Sequence, residues 1–289
     1  MDSVLAVDVG GTKMAAGIVS AHGDLLSRSQ RPTPKGDDAE PVFVALMDAI
    51  DEVRTGDEIA CGVGSGGPMT RGGESVSPLN IPGWRGFPLR ARLAETLGVP
   101  VHIDNDAKAL ALGEGWRGAA RGERNYLAMV VSTGVGGGIV LDGHLLDGGA
   151  SNAGHIGHVI VEPDGRVCPC GARGCLEAEA SGTAIAARTG APAADASEEE
   201  RQRAGQMVGR AVASVVSLLD LPLAVVAGSV ALGYGDVFFE AAQQELGERA
   251  RLEFTNGARI IRAGLGDEGP LVGAAVVALR AHGHGIGVA

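Results

Sequence analysis

The sequence predicts an α/β protein made of two similar α/β domains. The chain has 289 residues, with 45% hydrophobic and 20% charged side chains. This length and balance are typical of one large or two ordinary globular domains. A strand–turn–strand unit near the N-terminus also recurs 121 residues further along. An internal repeat of this kind indicates two domains of one design.

The repeat relates residues 5–26 to residues 127–146. The matched positions are Thr12 with Thr133, Gly-Ile-Val at 17–19 with 138–140, and Leu-Leu at 25–26 with 145–146. β-Hairpins with glycine turns also resemble one another without being repeats, so this alternative stays open at the level of the sequence.

Hydrophobic periodicity and turn residues predict the elements in order. We expect strands at 4–9, 14–19, 25–29, 59–63, 101–104 and 223–227, and helices over 42–53, 106–115, 198–219 and 271–279. Ser197 followed by Glu200 is a capping box that opens the third helix. The predicted domains are 1–117, with a C-terminal helix in 271–289 packing back on it, and a larger domain 118–270 that begins in a polar linker.

The formal net charge is −11. A non-specific nucleic-acid binder or an anionic-membrane binder needs an excess of lysine and arginine, so both classes are excluded. The first apolar run is interrupted at Asp8 and follows no basic segment, which argues against a signal peptide. We therefore expect a cytoplasmic protein with small-molecule partners and no nucleic-acid or membrane partner.

Two glycine-rich loops follow the first strand of each repeat. Gly10, Gly11, Thr12 and Lys13 offer backbone N–H groups, a hydroxyl and a cation, which is the chemistry of a phosphate loop. Asp8, at the end of the preceding strand, is placed to hold Mg²⁺. The second loop, residues 132–138, includes Thr133 and Gly134. Two such loops would hold the phosphates of a nucleotide between the domains, although a tight hairpin also favours Gly-Gly.

Residues 104–106, Asp-Asn-Asp, lie where a strand meets a helix. Carboxylates at this point face the crevice in which open α/β sheets bind ligands. Asp106 is therefore a candidate to accept a proton from an attacking hydroxyl. The alternative is that it caps the helix, and the two roles are compatible.

The cysteine cluster predicts a metal site. His158, Cys168, Cys170 and Cys175 form a ligand set that fits a closed, structural Zn²⁺ site. Buried free thiols are the alternative interpretation. Cys61 lies in an apolar strand and is predicted to be a core residue.

In combination these motifs resemble the ROK (repressor, ORF, kinase) family. The motifs that carry the resemblance are residues 8–13 (DVGGTK), Asn105-Asp106, residues 132–138 (STGVGGG), residues 154–158 (GHIGH) and residues 168–177 (CPCGARGCLE). The resemblance implies an actin-like ATPase (ribonuclease H-like) fold with two domains around a cleft. It also implies glucokinase-like phosphorylation of a hexose hydroxyl, the 6-OH, with ATP and Mg²⁺, in a homodimer or homotetramer.

Carried over residue by residue, the resemblance makes Asp106 the catalytic base. It implies that the sugar is contacted by Gly67, Asn80, Asn105, Asp106, His155, His158 and Glu177. It places Gly10 to Lys13, Thr133 and Gly134 at the phosphates, and Gly228 and Ser229 near the adenosine.

One position departs from the family. His155 replaces the usual glutamate of the sugar-binding element, and bacterial N-acetylmannosamine kinases are similar to this chain there. Residues 80–84 resemble the glucokinases instead. His155 could also simply pack beside the zinc loop. Lys108 replaces a common asparagine.

The alternative from another class is a sugar-sensing repressor or a non-catalytic ROK protein. The start of the first strand at Val4 is expected to leave no room for a DNA-binding segment.

Overall fold

The computed structural model describes residues 2–284. Its strands are β1 (Ser3–Val9), β2 (Lys13–Ser20), β3 (Leu25–Pro32), β4 (Cys61–Ser65), β5 (Val101–Asn105), β6 (Tyr126–Val131), β7 (Val135–Leu141), β8 (His144–Leu145), β9 (Leu223–Ala227) and β10 (Arg259–Arg262). Its α-helices are α1 (Ala39–Val53), α2 (Leu89–Leu97), α3 (Asp106–Arg117), α4 (Leu176–Ala180), α5 (Gly182–Thr189), α6 (Glu198–Leu219), α7 (Ser229–Tyr234), α8 (Asp236–Arg249) and α9 (Gly269–Ala281).

The strands form two sheets of the same topology. The first sheet has the order β3-β2-β1-β4-β5, and the second, read in the same sense, has the order β8-β7-β6-β9-β10. In each sheet the first three strands are antiparallel, and the central strand pairs with a later parallel strand. The two similar α/β halves predicted from the internal repeat are confirmed.

By packing, the chain divides into two compact units. Unit 1 extends to Gly122, includes Asp147–Ala153 and resumes at Leu265, whereas unit 2 comprises Glu123–Leu146 and Gly154–Gly264. The domain assignment predicted from the sequence, 1–117 and 118–270, stays a prediction.

In unit 1, β4 is buried along its whole length, and the adjacent strand β1 is buried over residues 4–7. The helix α1 begins at Asp38, whose side chain accepts a hydrogen bond from the Glu40 N–H and so satisfies one free donor of the first turn. The last helix, α9, packs on β1, β4 and α3. Gly62 is required in β4 because a Cβ there would lie 1.9 Å from the Ala274 carbonyl oxygen.

Unit 2 is organised by the long helix α6. Its N-cap is Ser197, which accepts from the Glu200 N–H, as the capping box predicts. The helix packs on α8 through Gly205 and Gly209, where a Cβ would meet carbonyl oxygens of α8 at 2.3 and 2.5 Å. These glycines let the two backbones approach closely.

Several elements differ from the sequence prediction. The strand expected at 59–63 is Cys61–Ser65, because its register with β1 pairs Leu5 with Cys61. The helix expected to lie in 271–289 ends at Ala281, and residues 285–289 lie outside the described part of the chain. The sequence pattern did not reveal α2, α4, α5, α7, α8 or β10. Among residues 2–284, no helix is long and apolar enough to cross a membrane.

Candidate functional site

The carboxyl ends of three parallel strands form one edge of the unit 1 sheet. In register across β1, β4 and β5 lie Asp8, Gly64 and Asp104, and the next row ends with Asn105. Gly64 carries no side chain, and a Cβ there would lie 3.5 Å from the Cα of Asp106. The small residue in the middle strand therefore leaves room between the acidic groups on either side.

Asp8 is half-buried at this edge, and its carboxyl is strongly perturbed. Burial and the negative charge of Asp106 raise its pKa to about 7, against the opposing effect of Lys13. Two interacting carboxyl groups in a partly buried site are chemically suited to a divalent cation, since oxygen ligands are those that Mg²⁺ prefers. The donor set therefore fits the Mg²⁺ site predicted from the sequence.

The glycine loop between β1 and β2 is held by contacts from the segment that follows β3. The Gly10 N–H donates to the Lys13 carbonyl at 3.1 Å. Thr33 Oγ1 donates to the Gly10 carbonyl at 2.6 Å, and Lys35 Nζ donates to the Gly11 carbonyl at 2.8 Å. Sequence reasoning did not identify Thr33 or Lys35, whose proximity to the loop depends on the antiparallel pairing of β2 with β3.

Asn80 lies directly against the glycine loop. A Cβ on Gly11 would lie 2.3 Å from the Cβ of Asn80, so only glycine permits this approach. The segment that carries Asn80 is anchored by Trp84, which is fully buried and donates its indole N–H to the Ala39 carbonyl. Gly67 lies two residues beyond the end of β4.

The junction of β5 and α3 presents Asn105 and Asp106. Asn105, not Asp106, is the N-cap: its Oδ1 accepts from the N–H groups of Ala107 and Lys108. The Nδ2 group of Asn105 is thereby the end of this side chain that can serve a ligand. Asp106 begins the helix, and its Oδ1 accepts from the Ala107 N–H at 2.8 Å. The N-cap role that the sequence suggested as an alternative for Asp106 is therefore filled by Asn105.

Unit 2 contains a cavity of about 310 Å³ beside its own glycine loop. The lining residues are Ser132, Thr133, Gly182, Thr183, Ala193, Ser229 and Val230. Ser132 and Ser229 are joined by a hydrogen bond of 2.9 Å between their hydroxyls, and the Thr183 hydroxyl donates to the Thr133 carbonyl. The structure thus brings together Thr133 and Ser229, two residues assigned from the sequence to nucleotide binding. Thr183 was missed, because α5 has a weak sequence signal.

Glu177 holds the other side of this loop. Its Oε2 accepts from the Val135 N–H at 2.9 Å. A Cβ on Gly134 would lie 2.9 Å from the same oxygen, so a larger residue there would displace the Glu177 carboxylate. Gly228 has a φ of +101°, and a Cβ there would lie 2.3 Å from the Val131 carbonyl oxygen. Close backbone approach therefore requires glycine at position 228.

His158, Cys168, Cys170 and Cys175 converge in unit 2, with all four ligand atoms within 4.8 Å of one another. Cys170 Sγ and Cys175 Sγ are 3.7 Å apart, and Cys168 Sγ is 3.8 Å from His158 Nδ1. Ligands about 2.3 Å from a tetrahedral Zn²⁺ are separated by about 3.8 Å. The residues present therefore fit the ion. Cys61 is separate from the cluster and fully buried, as predicted.

His155 is exposed and lies beside His158 of the His-Cys cluster. The two rings stack at an angle of 16° with their centroids 6.2 Å apart. Because His158 directs Nδ1 toward the thiols, its Nε2 is the nitrogen that can face a ligand. His155 thus combines packing beside the His-Cys cluster with an accessible ring.

Comparison with known proteins places this fold in a class. The structure matches that of the ROK glucokinase from Streptomyces griseus, solved with glucose and AMPPNP, with a TM-score of 0.85 and 30% identity over 96% of this chain and 99% of that one. The chain thus has the actin-like ATPase fold of the ROK sugar kinases. The ROK family model matches residues 4–281, and the chain belongs to the ROK family.

Two curated relatives illustrate the range of the family. A glucokinase from Thermotoga maritima is 43% identical over 185 residues, which are 63% of this chain and 58% of that protein. An N-acetylmannosamine kinase from Yersinia pseudotuberculosis is 37% identical over 254 residues, 81% of this chain and 86% of that protein. The match spans somewhat over half the length of the glucokinase.

Proposed function

We propose that this protein is an ATP-dependent hexose kinase of the glucokinase type, which transfers the γ-phosphoryl group of ATP to the 6-OH of its sugar. The observation that carries the proposal is the edge of the unit 1 sheet. There the charges of Asp106 and Lys13 both act on the carboxyl of Asp8, beside a glycine loop suited to phosphate. The glucokinase and N-acetylmannosamine kinase relatives support the same reaction.

In this mechanism Asp106 is the general base. Its carboxylate orients the sugar hydroxyl and takes the proton as the oxygen attacks the γ-phosphorus, while the bond from that phosphorus to the bridging oxygen of ADP breaks. The amide group of Asn105 donates to a neighbouring sugar oxygen, since its Oδ1 is engaged with the helix. Asn80 and Gly67 complete the sugar contacts in unit 1.

The phosphate chain is bound by the glycine loops. Lys13 and the N–H groups of the first loop stabilise negative charge that spreads over the transferring group. Asp8 would hold Mg²⁺, which neutralises phosphate charge when bound. In unit 2, Thr133 and Gly134 bind phosphate, whereas Gly228, Ser229 and the cavity beside them take the nucleoside.

The cysteine cluster has a supporting role in this proposal. His158 and the three cysteines would hold Zn²⁺, which would tie the loop 158–175 together and orient the His158 ring with Nε2 toward the sugar. Glu177, two residues after Cys175, contributes its second carboxylate oxygen to the sugar. We expect about one Zn²⁺ per chain, and metal analysis of protein purified without chelators tests this. A metal-free protein of the same stability would contradict the zinc site.

N-Acetylmannosamine is the second candidate substrate. His155 favours it, because a neutral imidazole offers one donor and one acceptor where an ionised glutamate only accepts. A ring that can donate suits an N-acetyl carbonyl. The resemblance of residues 80–84 to the glucokinases supports the glucokinase assignment, which we place first.

The proposed function is tested by sugar-dependent ADP release. The parent protein is assayed with ATP, Mg²⁺ and each of glucose, mannose, N-acetylglucosamine and N-acetylmannosamine, with a sugar-free control. NMR of the product then identifies the phosphorylated oxygen. We expect strong stimulation by glucose and a phosphate on the 6-oxygen. Stimulation only by N-acetylmannosamine would establish the second candidate.

Sugar binding without sugar-dependent ADP release would contradict a kinase and support the non-catalytic ROK alternative. The homo-oligomer implied by the resemblance and the cytoplasmic location expected from the sequence are part of the proposal. Light scattering of the purified protein tests the first, and cell fractionation tests the second.

A further inference from the structure

Lysine is rare in this protein and concentrated in one region. Of its 24 cationic side chains, 21 are arginines, and the three lysines are Lys13, Lys35 and Lys108. All three belong to unit 1. Lys13 and Lys35 lie at the glycine loop, whereas Lys108 lies two residues after Asp106 and is 1% exposed. Every other cationic side chain is an arginine, so a lysine ammonium occurs only at these three positions. Of the three lysines, only Lys108 is buried.

The Lys108 ammonium is surrounded by three oxygen atoms. Nζ lies 2.5 Å from Asp147 Oδ1, 3.5 Å from Asp104 Oδ1 and 3.4 Å from the Ser151 carbonyl oxygen. An ammonium has three N–H donors and no acceptor, so the number of acceptors matches the number of donors. Burying a cation is costly unless it is paired in this way.

Two of these acceptors belong to the segment 147–153. This segment is glycine-rich and mostly exposed, and it contains a non-glycine residue of positive φ, Ser151 at 61°. The Ala153 N–H donates to the Asp147 carbonyl, which closes the segment on itself. A segment with little buried apolar surface has low local stability, so polar contacts such as those of Lys108 determine its position.

The position of this segment matters for the site. The chain leaves unit 2 at Leu146, passes through the segment in unit 1, and re-enters unit 2 at Gly154. His155 follows directly, and His158 comes three residues later. At its other end, the Lys108 side chain starts from the first turn of the helix that begins with Asp106.

We propose that Lys108 is a positioning residue for the sugar: its ammonium fixes the segment 147–153 on the strand end that carries Asn105 and Asp106, and so sets the starting point of the His155 to His158 stretch. This inference rests on the proposed function. Lys108 itself touches neither sugar nor nucleotide. Its effect is transmitted through Asp147 and the Ser151 carbonyl.

The proposal requires lysine in particular. A guanidinium is planar, longer and carries five donors in a fixed fork, so it cannot present three donors to these oxygens from the same backbone position. We therefore expect Lys108→Arg to behave like a loss of the contact rather than like a conservative change.

The principal test is Asp147→Asn, because Asp147 is 65% exposed and its substitution leaves the core unchanged. We expect a KM for the sugar about tenfold higher, as for loss of one charged hydrogen bond, with kcat and the KM for ATP within twofold of the parent. Asp147→Glu should restore part of the sugar affinity. The matched control is Asp24→Asn, which removes the 3.1 Å surface pair with Arg117 in the same unit.

A second readout does not depend on activity. Hydrogen exchange of the peptide that covers 147–153 should be faster in Asp147→Asn and in Lys108→Arg than in the parent, and unchanged in Asp24→Asn. Unchanged exchange and an unchanged sugar KM in Asp147→Asn would overturn the proposal, as would an equal rise in the KM values for sugar and ATP. A parent protein without any sugar-dependent activity would contradict the kinase function, while exchange and direct sugar binding would still decide the role of Lys108.

Discussion

The two glycine loops occupy equivalent places in sheets of the same topology, yet their chemistry differs. The loop of unit 1 lies beside Asp8 and ends with Lys13. At the corresponding positions, 121 residues further along, unit 2 has Met129, a fully buried core residue, and Gly134. The loop of unit 2 thus offers backbone N–H groups and the hydroxyls of Ser132 and Thr133, without a charged side chain of its own at these two positions.

This difference indicates that the two units have different roles, although their sheets share one topology. Backbone donors in a glycine loop bind anions in either unit. The charged side chains that can take up a proton or stabilise charge on a phosphoryl group lie at the strand ends of unit 1, where Asp8 and Asp106 interact. We infer that unit 1 carries the chemistry and unit 2 contributes mainly binding.

The largest effect is expected from Asp106→Asn. The amide keeps the shape of the side chain but cannot take the proton, so kcat should fall by ~10²–10⁴-fold while the fold is preserved. Steady-state ADP release measures the change, and circular dichroism checks the fold. Turnover within a few-fold of the parent would remove Asp106 from the catalytic role.

A paired comparison of the two loops should give the next largest effect. Lys13→Met removes a charge that acts on the phosphates, and we expect kcat to fall by ~10²-fold. Thr133→Ala removes a neutral hydrogen bond, for which a change of about fivefold in the KM for ATP is expected. Equal losses of kcat in the two variants would contradict the different roles that we assign to the two glycine loops.

The pH dependence tests the perturbed carboxyl directly. Since burial and Asp106 raise the pKa of Asp8 to about 7, kcat/KM for ATP at limiting Mg²⁺ should rise with pH through this value. Excess Mg²⁺ should shift the midpoint to lower pH, because the cation binds the ionised form. Asp8→Asn should abolish the shift.

The same carboxyl affects stability with a defined sign. Its folded-state pKa exceeds the ordinary value of 3.8, so the folded protein binds the proton more tightly than the unfolded chain. The contribution of Asp8 to stability therefore declines as pH rises from about 4 to about 7 and stays low above. Thermal denaturation should show that Asp8→Asn stabilises the protein more at about pH 8 than at about pH 5, and the reverse order would contradict the assigned cause.

The smallest effect concerns substrate choice in unit 2. His155→Glu should change the ratio of kcat/KM for glucose to that for N-acetylmannosamine by at least ~5-fold, or ~1 kcal/mol. Parallel assays of parent and variant with both sugars measure the ratio. An unchanged ratio would mean that His155 only packs beside His158.

Much of the architecture could be predicted from the sequence because it depends on local signals. Short apolar runs and glycine turns predicted β1, β2, β6 and β7, and the repeat between them correctly predicted two halves of one design. The Ser197 cap likewise depends on residues within one helical turn.

The features that the sequence did not reveal depend on distant contacts. The helices α4 and α5 are short and alanine-rich, so they lack a clear apolar stripe, and Thr183 was missed with them. The sequence shows Lys108 only as a replacement for a common asparagine, because its partner Asp147 lies 39 residues away and no local pattern joins the two. Sequence spacing also could not show that the segment 147–153 packs in unit 1.

The most direct test of the division between the units is a single-turnover measurement of phosphoryl transfer by rapid quench, with ATP and sugar both saturating. We expect Asp106→Asn to bind both substrates with nearly the affinity of the parent but to slow the chemical step by at least ~10²-fold. Thr133→Ala should weaken ATP binding and leave the chemical step within a few-fold of the parent. A chemical step slowed equally by the two changes, or slowed only by Thr133→Ala, would contradict the claim that the chemistry belongs to unit 1.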